Sequence, residues 1–207
     1  MLQPAPSVFA IGRNYVGHIK ELNNERPTEP VVFLKTNSAL RDLNAGNQMA
    51  FANETYDHEC EVVLEIGQDL PLGSKPTWDS VRGIRLGLDL TRRAKQSELK
   101  SKGLPWTLAK SFKGAGVLSS MIDKSQVPDL NNIEFSLHIN GELRQQGQSS
   151  MMIWNVPDIL ACLCTFTDLR AGDLVFTGTP EGVGPIRVGD RIDLTLLHTA
   201  IKFSGVL

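Results

Sequence analysis

Three acidic residues lie in parts of the sequence that are otherwise apolar. Glu59 and Glu61 stand at the start of the stretch ECEVVLEIG, and Asp89 stands near the end of GIRLGLDL. Residues i and i+2 of a β-strand project from the same face, so the two glutamates would point the same way, about 6–7 Å apart. Two like charges beside a buried sheet are costly unless a cation or a proton lies between them. The pattern therefore indicates a cation site as one interpretation.

A trio of carboxylates, with no cysteine or paired histidine, suits a hard cation that prefers oxygen ligands. Mg²⁺ or Mn²⁺ fits this chemistry best, followed by Ca²⁺. Three protein ligands also leave coordination positions open for water or substrate, as in catalytic metal sites. The competing interpretation is that Glu59 and Glu61 are exposed at a strand edge while Asp89 caps the next helix. The spacing alone leaves both interpretations open.

His18 and Glu21 form a second pair with catalytic potential. They stand three residues apart in GRNYVGHIKEL, at 12–22, where the apolar residues fall on one helical face. Residues i and i+3 are neighbours on a helix, so Glu21 could orient His18 and stabilise its protonated form. His18 would then take a proton from water as a general base. The alternative is a solvated histidine and glutamate on an exposed helix.

Five further residues are candidates for contact with a substrate. Lys110 is a lone basic residue among apolar neighbours in WTLAKSF, where a surface lysine with a buried stem is the alternative. Gly178 permits close approach of the backbone, and Thr179 offers a hydroxyl or a backbone N–H to a substrate oxygen. Gln96 is a polar candidate on a predicted helix. Arg13 could bind a carboxylate or form a salt bridge within the fold.

The elements that must position these residues are mainly short strands. Apolar stretches bounded by glycine, proline and polar residues predict strands, and the pair Asn140–Gly141 predicts a hairpin turn. Three stretches predict helices, and the last, with Pro157 in its first turn, is expected to be the longest. Strands are expected at 7–12, 31–36, 60–67, 83–91, 133–141, 141–147, 171–180, 182–190 and 191–198, and helices at 12–22, 92–102 and 155–169. This balance favours a β-rich α+β fold rather than a doubly wound sheet, organised as a single domain over 1–207.

Composition narrows the function classes. The chain has 207 residues with 21 basic and 23 acidic side chains, and it has no basic stripe, which argues against a nucleic-acid partner. Its apolar runs are far shorter than the ~20 residues of a membrane span, and the N-terminus lacks the pattern of a secretory signal. Cys60, Cys162 and Cys164 show no disulfide framework, and the last two are expected to be buried core thiols. We therefore predict a cytoplasmic protein without nucleic-acid or membrane partners.

Seven sequence blocks, in order along the chain, carry a resemblance to a known family. The blocks are IGRNYVGHIKEL, EPVVFLKTNSAL, HECEVVLEIG, GLDLTRRAKQ, KGLPWTLAKSF, INGELRQQGQSSMM and GDLVFTGTPEGVGPIRVGD. Together they span about residues 8–195, and they resemble the fumarylacetoacetate hydrolase family, particularly its short acylpyruvate hydrolase and oxaloacetate decarboxylase branch. The family's common form of the fourth block is close to DLTARDLQ. Ala94 therefore replaces an acidic residue, which bears on substrate preference.

The resemblance implies roles for several of the candidate residues. It implies that Glu59, Glu61 and Asp89 bind one Mg²⁺ or Mn²⁺ per chain. It also implies a His18–Glu21 dyad, with Lys110 pointing into the same site. The family fold is a β-rich mixed roll, or partly open barrel, with a few short helices. The family usually assembles as a homodimer, so we expect one here.

The activity implied by the resemblance is hydrolysis of a C–C bond in acylpyruvates (2,4-dioxo acids), with oxaloacetate decarboxylation as a further activity. The cation would chelate the small 2-oxo acid and stabilise the pyruvate enolate as the bond breaks. One alternative is an isomerase or decarboxylase of aromatic-catabolic oxo-diacids of the 2-hydroxyhepta-2,4-dienedioate type. A second is a non-catalytic oxo-acid-binding module. An oxo-diacid would need an additional basic pocket, which the sequence does not identify. Residues 15–30 are expected to form a lid over the substrate.

Overall fold

The computed structural model describes residues 6–45 and 54–207. It shows the β-rich α+β fold that the sequence predicts, in which short strands greatly outnumber helices. The strands are β1 (Val8–Gly12), β2 (Val31–Lys35), β3 (Leu40–Asp42), β4 (Tyr56–His58), β5 (Cys60–Ile66), β6 (Val81–Asp89), β7 (Gly116–Leu118), β8 (Ile122–Asp123), β9 (Glu134–Ile139), β10 (Glu142–Gln148), β11 (Leu174–Phe176), β12 (Gly184–Ile186), β13 (Arg191–Leu196) and β14 (Lys202–Val206). The helices are α1 (Val16–Glu21), α2 (Arg93–Ser101), α3 (Thr107–Lys110) and α4 (Val156–Leu163).

The main sheet is mixed and contains eight of these strands. Its order is β2-β1-β11-β5-β6-β7-β3, with β8 paired to β6. β1 runs parallel to β11 and β3 runs parallel to β7, whereas the other neighbours are antiparallel. This order places β11, from the C-terminal part of the chain, between β1 and β5. Residues that are far apart in the sequence therefore meet on one sheet.

A second sheet is antiparallel throughout, with the order β10-β9-β13-β14. The predicted hairpin joins β9 to β10, and both of its turn residues adopt positive φ, 53° at Asn140 and 84° at Gly141. Asparagine and glycine tolerate this left-handed backbone, which is why the pair is favoured in two-residue hairpins. β12 pairs with β4 in a separate two-stranded ribbon.

The main hydrophobic cluster lies between the two sheets and includes α4. Alternation along β5 shows how the sequence fixes its orientation. Val62 and Leu64 belong to the main cluster, whereas Val63 belongs to a smaller cluster on the opposite face of the main sheet. Burial of each such side chain contributes about 1.5–3 kcal/mol. A slip of one residue would expose the apolar set, so the register is strongly specified.

The first predicted helix is shorter than its sequence pattern. The pattern covers 12–22, but α1 begins only at Val16. Arg13 has a φ of 58°, in the left-handed region, and Tyr15 is extended, so neither residue can continue a right-handed helix. Gly12 belongs to β1, and the bend at Arg13 therefore occupies the first part of the predicted helix.

The third helix is shorter than predicted, so the prediction of its length is wrong. It was expected over 155–169 as the longest helix, but α4 has 8 residues and α2 has 9. Beyond α4, the Thr165 hydroxyl donates to the Cys162 carbonyl, and Leu169 forms a β-bridge with Leu70. These contacts require a turn and then extended backbone. Cys164 is buried as predicted, but Cys162 is partly exposed, so only one of the two is a core thiol.

None of the helices in the described parts of the chain is long and apolar enough to cross a membrane.

Candidate active site and metal centre

The carboxylate trio lies on the face of the main sheet opposite to the main hydrophobic cluster. Glu61 alternates with the core residues of β5, and Asp89 alternates with those of β6. The two strands pair antiparallel, and the backbone N–H of Asp89 donates to the carbonyl oxygen of Glu59 at 2.8 Å. One oxygen from each of the three side chains lies within 4.8 Å of the other two. Strand pairing and period-two alternation thus bring the trio together.

The trio is buried, which excludes the interpretation of exposed acids at a strand edge. Glu59 is 5% exposed, Glu61 2% and Asp89 1%. Asp89 does not cap α2 either, because the residue at the cap is Arg92 and no side chain bonds to the helix end. Buried carboxylates of like charge need compensation from cations or hydrogen bonds.

Two of the three acids have cationic partners in the protein. The ammonium of Lys110 lies 2.6 Å from Glu59 and 2.8 Å from Asp89. Arg93 contacts Glu59 at 2.5 Å, and Lys35 contacts Asp89 at 2.6 Å. Burial opposes ionisation of Glu59, but Lys110 and Arg93 outweigh it and hold its pKa well below the usual range.

Glu61 has no cationic partner among the described residues. Its Oε2 accepts a hydrogen bond from the backbone N–H of Gly178 at 2.7 Å. Burial, and then the charges of Asp89 and Glu59, raise the pKa of Glu61 well above its ordinary value. A cation between the three carboxylates would relieve this repulsion. The donor set of three buried oxygen ligands therefore fits a hard divalent cation.

Lys110 is 3% exposed, so it is not the surface lysine considered as an alternative. Burial lowers its pKa, but Asp89 and Glu59 outweigh burial and raise it, which keeps Lys110 charged. Lys35 was missed by the sequence analysis. It ends the apolar strand β2, and its Nζ also donates to the carbonyl of Lys110 at 2.5 Å. The position of Lys35 at the end of an apolar stretch was the only feature of the sequence that could have identified it.

His18 and Glu21 form the predicted pair on α1. Nδ1 of His18 lies 3.3 Å from Oε2 of Glu21, and Oε1 of Glu21 accepts from the backbone N–H of Gly182 at 3.0 Å. His18 is buried, and burial lowers its pKa below 6.5 despite the opposing effects of Glu59 and Glu21. The imidazole is therefore neutral at pH 7. A solvated pair on an exposed helix is excluded for His18.

The backbone at Gly178 approaches the trio closely. Gly178 has a φ of 101°, and a Cβ there would lie 2.7 Å from the Cβ of Asn14. The positive φ and the close approach of Asn14 both require glycine at this position. The close packing brings the backbone N–H of Gly178 within hydrogen-bond distance of Glu61. The side chain of Asn14 fixes the same region by donating to the carbonyl of Thr177 at 2.8 Å.

Thr179 is held by a buried glutamine that the sequence analysis did not identify. Nε2 of Gln145 donates to the hydroxyl oxygen of Thr179 at 2.8 Å and to the carbonyl of Pro180 at 3.0 Å. Oε1 of Gln145 accepts from the backbone N–H of Cys60 at 2.9 Å. A register shift in β10 between Leu143 and Gln145 turns the glutamine inward, a change that strict alternation does not predict.

Gln96 and Arg13 line the same cavity as the trio. Gln96 is buried, and its Oε1 accepts from Nη1 of Arg93 at 2.6 Å. Arg13 forms no salt bridge within the described chain, and its guanidinium contacts Asn24 Oδ1 at 3.3 Å. Ala94 is exposed on α2, and the ion pairs of Arg93 are formed without an acid at that position.

Eight of the ten residues predicted for the site line one narrow cavity of about 30 Å³. Glu21 and Gly178 instead touch its lining residues His18 and Glu61. The cavity lining is Ile11, Gly12, Arg13, His18, Leu22, Asn24, Phe33, Glu59, Glu61, Asp89, Arg93, Gln96, Lys100, Trp106, Lys110 and Thr179.

Known proteins share this architecture and sequence. Residues 7–203 match the sequence model of the fumarylacetoacetate (FAA) hydrolase C-terminal family. An oxaloacetate decarboxylase, mitochondrial, from Dictyostelium discoideum is 38% identical over 206 residues, covering 97% of this chain and 94% of the relative. An oxaloacetate tautomerase (FAHD1, mitochondrial) from Bos taurus is 38% identical over 187 residues, covering 90% of this chain and 85% of the relative.

A solved structure extends the likeness to the fold. The crystal structure of fumarylpyruvate hydrolase from Pseudomonas aeruginosa, in complex with Mn²⁺ and pyruvate, has a TM-score of 0.86 and 32% identity. The match covers 98% of this chain and 89% of that structure. Because the likeness in sequence and in fold extends over nearly the whole chain, this protein is an enzyme of the fumarylacetoacetate hydrolase family.

Proposed function

We propose that this enzyme is a metal-dependent hydrolase of acylpyruvates that also decarboxylates oxaloacetate. One observation carries the proposal: the buried trio includes Glu61, which lacks a cationic partner in the described chain, and it shares a cavity with His18. The name of the fumarylpyruvate hydrolase relative supports the first activity. The name of the Dictyostelium relative supports the second.

Glu59, Glu61 and Asp89 would hold one Mg²⁺ or Mn²⁺. When bound, the cation supplies Lewis-acid polarisation of the 2-oxo and carboxylate oxygens of the substrate. The protein's part is to hold the three carboxylates close together in a buried position. Lys110, charged and within 3 Å of two of them, contributes a positive charge next to the same substrate oxygens.

His18 serves as the general base. Its Nδ1–H donates to Glu21, which leaves Nε2 free to accept a proton. In hydrolysis, a water loses a proton to Nε2 as its oxygen adds to the distal carbonyl carbon of the acylpyruvate. The bond to the neighbouring methylene then breaks, and that carbon takes a proton to give pyruvate and a carboxylic acid. Glu21 stabilises the protonated imidazole between these steps.

Four further residues would bind and orient the substrate. The Thr179 hydroxyl, positioned by Gln145, would contact a substrate oxygen, as would the Gln96 side chain. Gly178 keeps this backbone close to the trio. Arg13 would bind a carboxylate at the far end of the cavity. We also propose that 15–30 acts as a lid, because His18, Leu22 and Asn24 of this segment line the cavity.

Tautomerisation of oxaloacetate is the second candidate function. The name of the Bos taurus relative favours it, and it needs only that one proton leave the carbon next to the 2-oxo group and one proton add to the 2-oxo oxygen. His18 is placed to move the proton at that carbon, so the same residues would serve both reactions.

Turnover of three substrates tests the proposal. Purified enzyme with Mg²⁺ or Mn²⁺ should cleave acetylpyruvate or fumarylpyruvate and should consume oxaloacetate, and His18→Ala should abolish hydrolysis. His198→Ala is the matched control, because His198 is exposed and pairs with Glu134 away from the cavity. Absence of turnover of all three substrates, with and without metal, would contradict the proposal.

A further inference from the structure

The hydroxyl of Thr179 ends a buried hydrogen-bond network whose donors and acceptors can be assigned. Nε2 of Gln145 donates to this hydroxyl at 2.8 Å and to the carbonyl of Pro180 at 3.0 Å. Oε1 of Gln145 accepts from the backbone N–H of Cys60 at 2.9 Å and lies 3.0 Å from Nδ1 of His58. A carbonyl only accepts and a backbone N–H only donates, so these contacts fix the orientation of the amide. Nδ1 of His58 must then carry the proton in its contact with Gln145.

The same network assigns the proton of Thr179. Its hydroxyl oxygen lies 2.8 Å from the carbonyl oxygen of Cys60, and two oxygens form such a contact only with a proton between them. The hydroxyl therefore donates to Cys60 while it accepts from Gln145. A hydroxyl has one donor and two acceptor lone pairs, so one lone pair of Thr179 is left over. Thr179 lines the active-site cavity, and this lone pair is what its hydroxyl offers to a reactant there.

An acceptor at this position restricts the reactant that can bind there. The carboxylate and keto oxygens of a 2-oxo acid are themselves acceptors, and two acceptors form no hydrogen bond with each other. Cationic donors for those oxygens line the same cavity, namely Arg13, Arg93, Lys100 and Lys110. Water has two O–H groups. In the hydrolysis of an acylpyruvate in its keto form, water is therefore the reactant that suits the hydroxyl oxygen of Thr179.

Thr179 and the base His18 lie on segments that are tied together, and both line the cavity. Oε2 of Glu21 contacts Nδ1 of His18, and Oε1 of Glu21 accepts from the backbone N–H of Gly182, in the loop that carries Thr179. One glutamate thus anchors this loop to the His18–Glu21 pair. A water that gives one proton to Nε2 of His18 would donate its other O–H to Thr179. Two acceptors on one water fix its orientation, and orientation of a reactant lowers the barrier to attack.

We propose that the hydroxyl oxygen of Thr179 is a further catalytic group, which accepts a hydrogen bond from the attacking water and orients it. This inference rests on the proposed function, because it concerns the water that His18 deprotonates. One proton of the water passes to Nε2 of His18 as its oxygen bonds to the distal carbonyl carbon. The other proton stays on that oxygen, hydrogen-bonded to Thr179. Decarboxylation and tautomerisation of oxaloacetate need no attacking water, so they do not use this contact.

Hydrolysis of acetylpyruvate and consumption of oxaloacetate, measured on the same Mg²⁺-loaded preparations, test the proposal. Thr179→Val removes the acceptor and keeps the shape of the side chain, so kcat for hydrolysis should fall about a hundredfold, the usual cost of misplacing a reacting group. The KM for acetylpyruvate, the affinity for pyruvate and kcat for oxaloacetate should each change less than about threefold, since a contact with water adds nothing to binding of the acid. Thr179→Ala should reproduce this pattern. Thr179→Ser keeps the oxygen and should retain most of the hydrolysis.

Thr177→Val is the matched control, because the buried Thr177 hydroxyl also donates to a backbone carbonyl, that of Val62 at 2.8 Å, but does not line the cavity. It should leave both activities unchanged. Native hydrolysis by Thr179→Val would overturn the proposal, as would loss of hydrolysis in Thr179→Ser. Equal loss of both activities in a Thr179→Val variant that still binds pyruvate would also overturn it, because Thr179 would then contact an enol hydroxyl of the acid. Absence of both activities in the native enzyme would instead overturn the proposed function.

Discussion

At the scale of single residues, the candidate site is a set of buried charges whose partners can be named. Their apolar surroundings made Glu59, Glu61 and Asp89 candidates for a metal site, and the resemblance to the family selected that interpretation over exposed acids. The sequence did not predict Lys35, whose ammonium is fully buried against Asp89. A lysine at a strand end is usually solvated, and only the fold shows that this one is enclosed.

The ionisation of His18 gives a prediction at this scale. Burial lowers the pKa of His18 below 6.5, so the imidazole stays neutral down to that pH and can accept a proton. Acylpyruvate kcat/KM should therefore be level above pH 7 and fall on the acid side, with a midpoint below 6.5. Glu21→Gln removes an interaction that raises this pKa, so it should move the midpoint to lower pH. A midpoint above pH 7 in the native enzyme would contradict the assignment of His18 as the base.

At the scale of elements, alternation along strands was predictable and local irregularities were not. Side chains of β5 and β6 alternate between the two faces of the sheet, so the sequence predicts that Glu61 and Asp89 point away from the core residues of their strands. The positive φ that shortens α1 has no comparable signal in GRNY, because arginine seldom adopts it. The bulge in β10 depends on contacts with other strands, and it determines that Gln145 points inward.

The inward position of Gln145 gives a prediction for β10. Gln145→Met would leave the Cys60 N–H and the Pro180 carbonyl buried without their partners. The free energy of unfolding in urea should fall by about 3 kcal/mol, since each unsatisfied buried group costs about 1–3 kcal/mol. Gln146→Met, at the exposed neighbouring position, should change it by less than about 0.5 kcal/mol. Equal effects of the two substitutions would show that Gln145 does not hold the loop at Thr179.

At the scale of the whole molecule, strand order assembles the site from distant parts of the chain. β11 lies between β1 and β5, which brings Gly178 into contact with Glu61 across 117 positions of sequence. Strand order is not encoded in local patterns, so the sequence predicted a β-rich α+β fold but not which strands are neighbours. The resemblance to the family supplied the expectation that the candidate residues share one site. The fold that the resemblance implied is confirmed. The single domain and the cytoplasmic location stay predictions.

The homodimer is also a prediction at this scale. Leu34, Leu104 and Leu108 are 56%, 48% and 61% exposed, and apolar side chains of this kind are commonly covered in assemblies. Light scattering during size-exclusion chromatography should give a mass twice that of the 22.7 kDa chain. A single-chain mass over the micromolar range, with full activity, would contradict it.

The central claim is that the buried carboxylate trio binds one divalent cation, and Mn²⁺ titration of the purified enzyme tests it most directly. We predict one Mn²⁺ per chain in the native enzyme, and affinity reduced at least about tenfold by Glu61→Gln. Glu65→Gln is the matched control, because Glu65 lies on the same strand but pairs with Arg82 and Arg85 instead. Native affinity in Glu61→Gln, or no Mn²⁺ binding by the native enzyme, would contradict the claim.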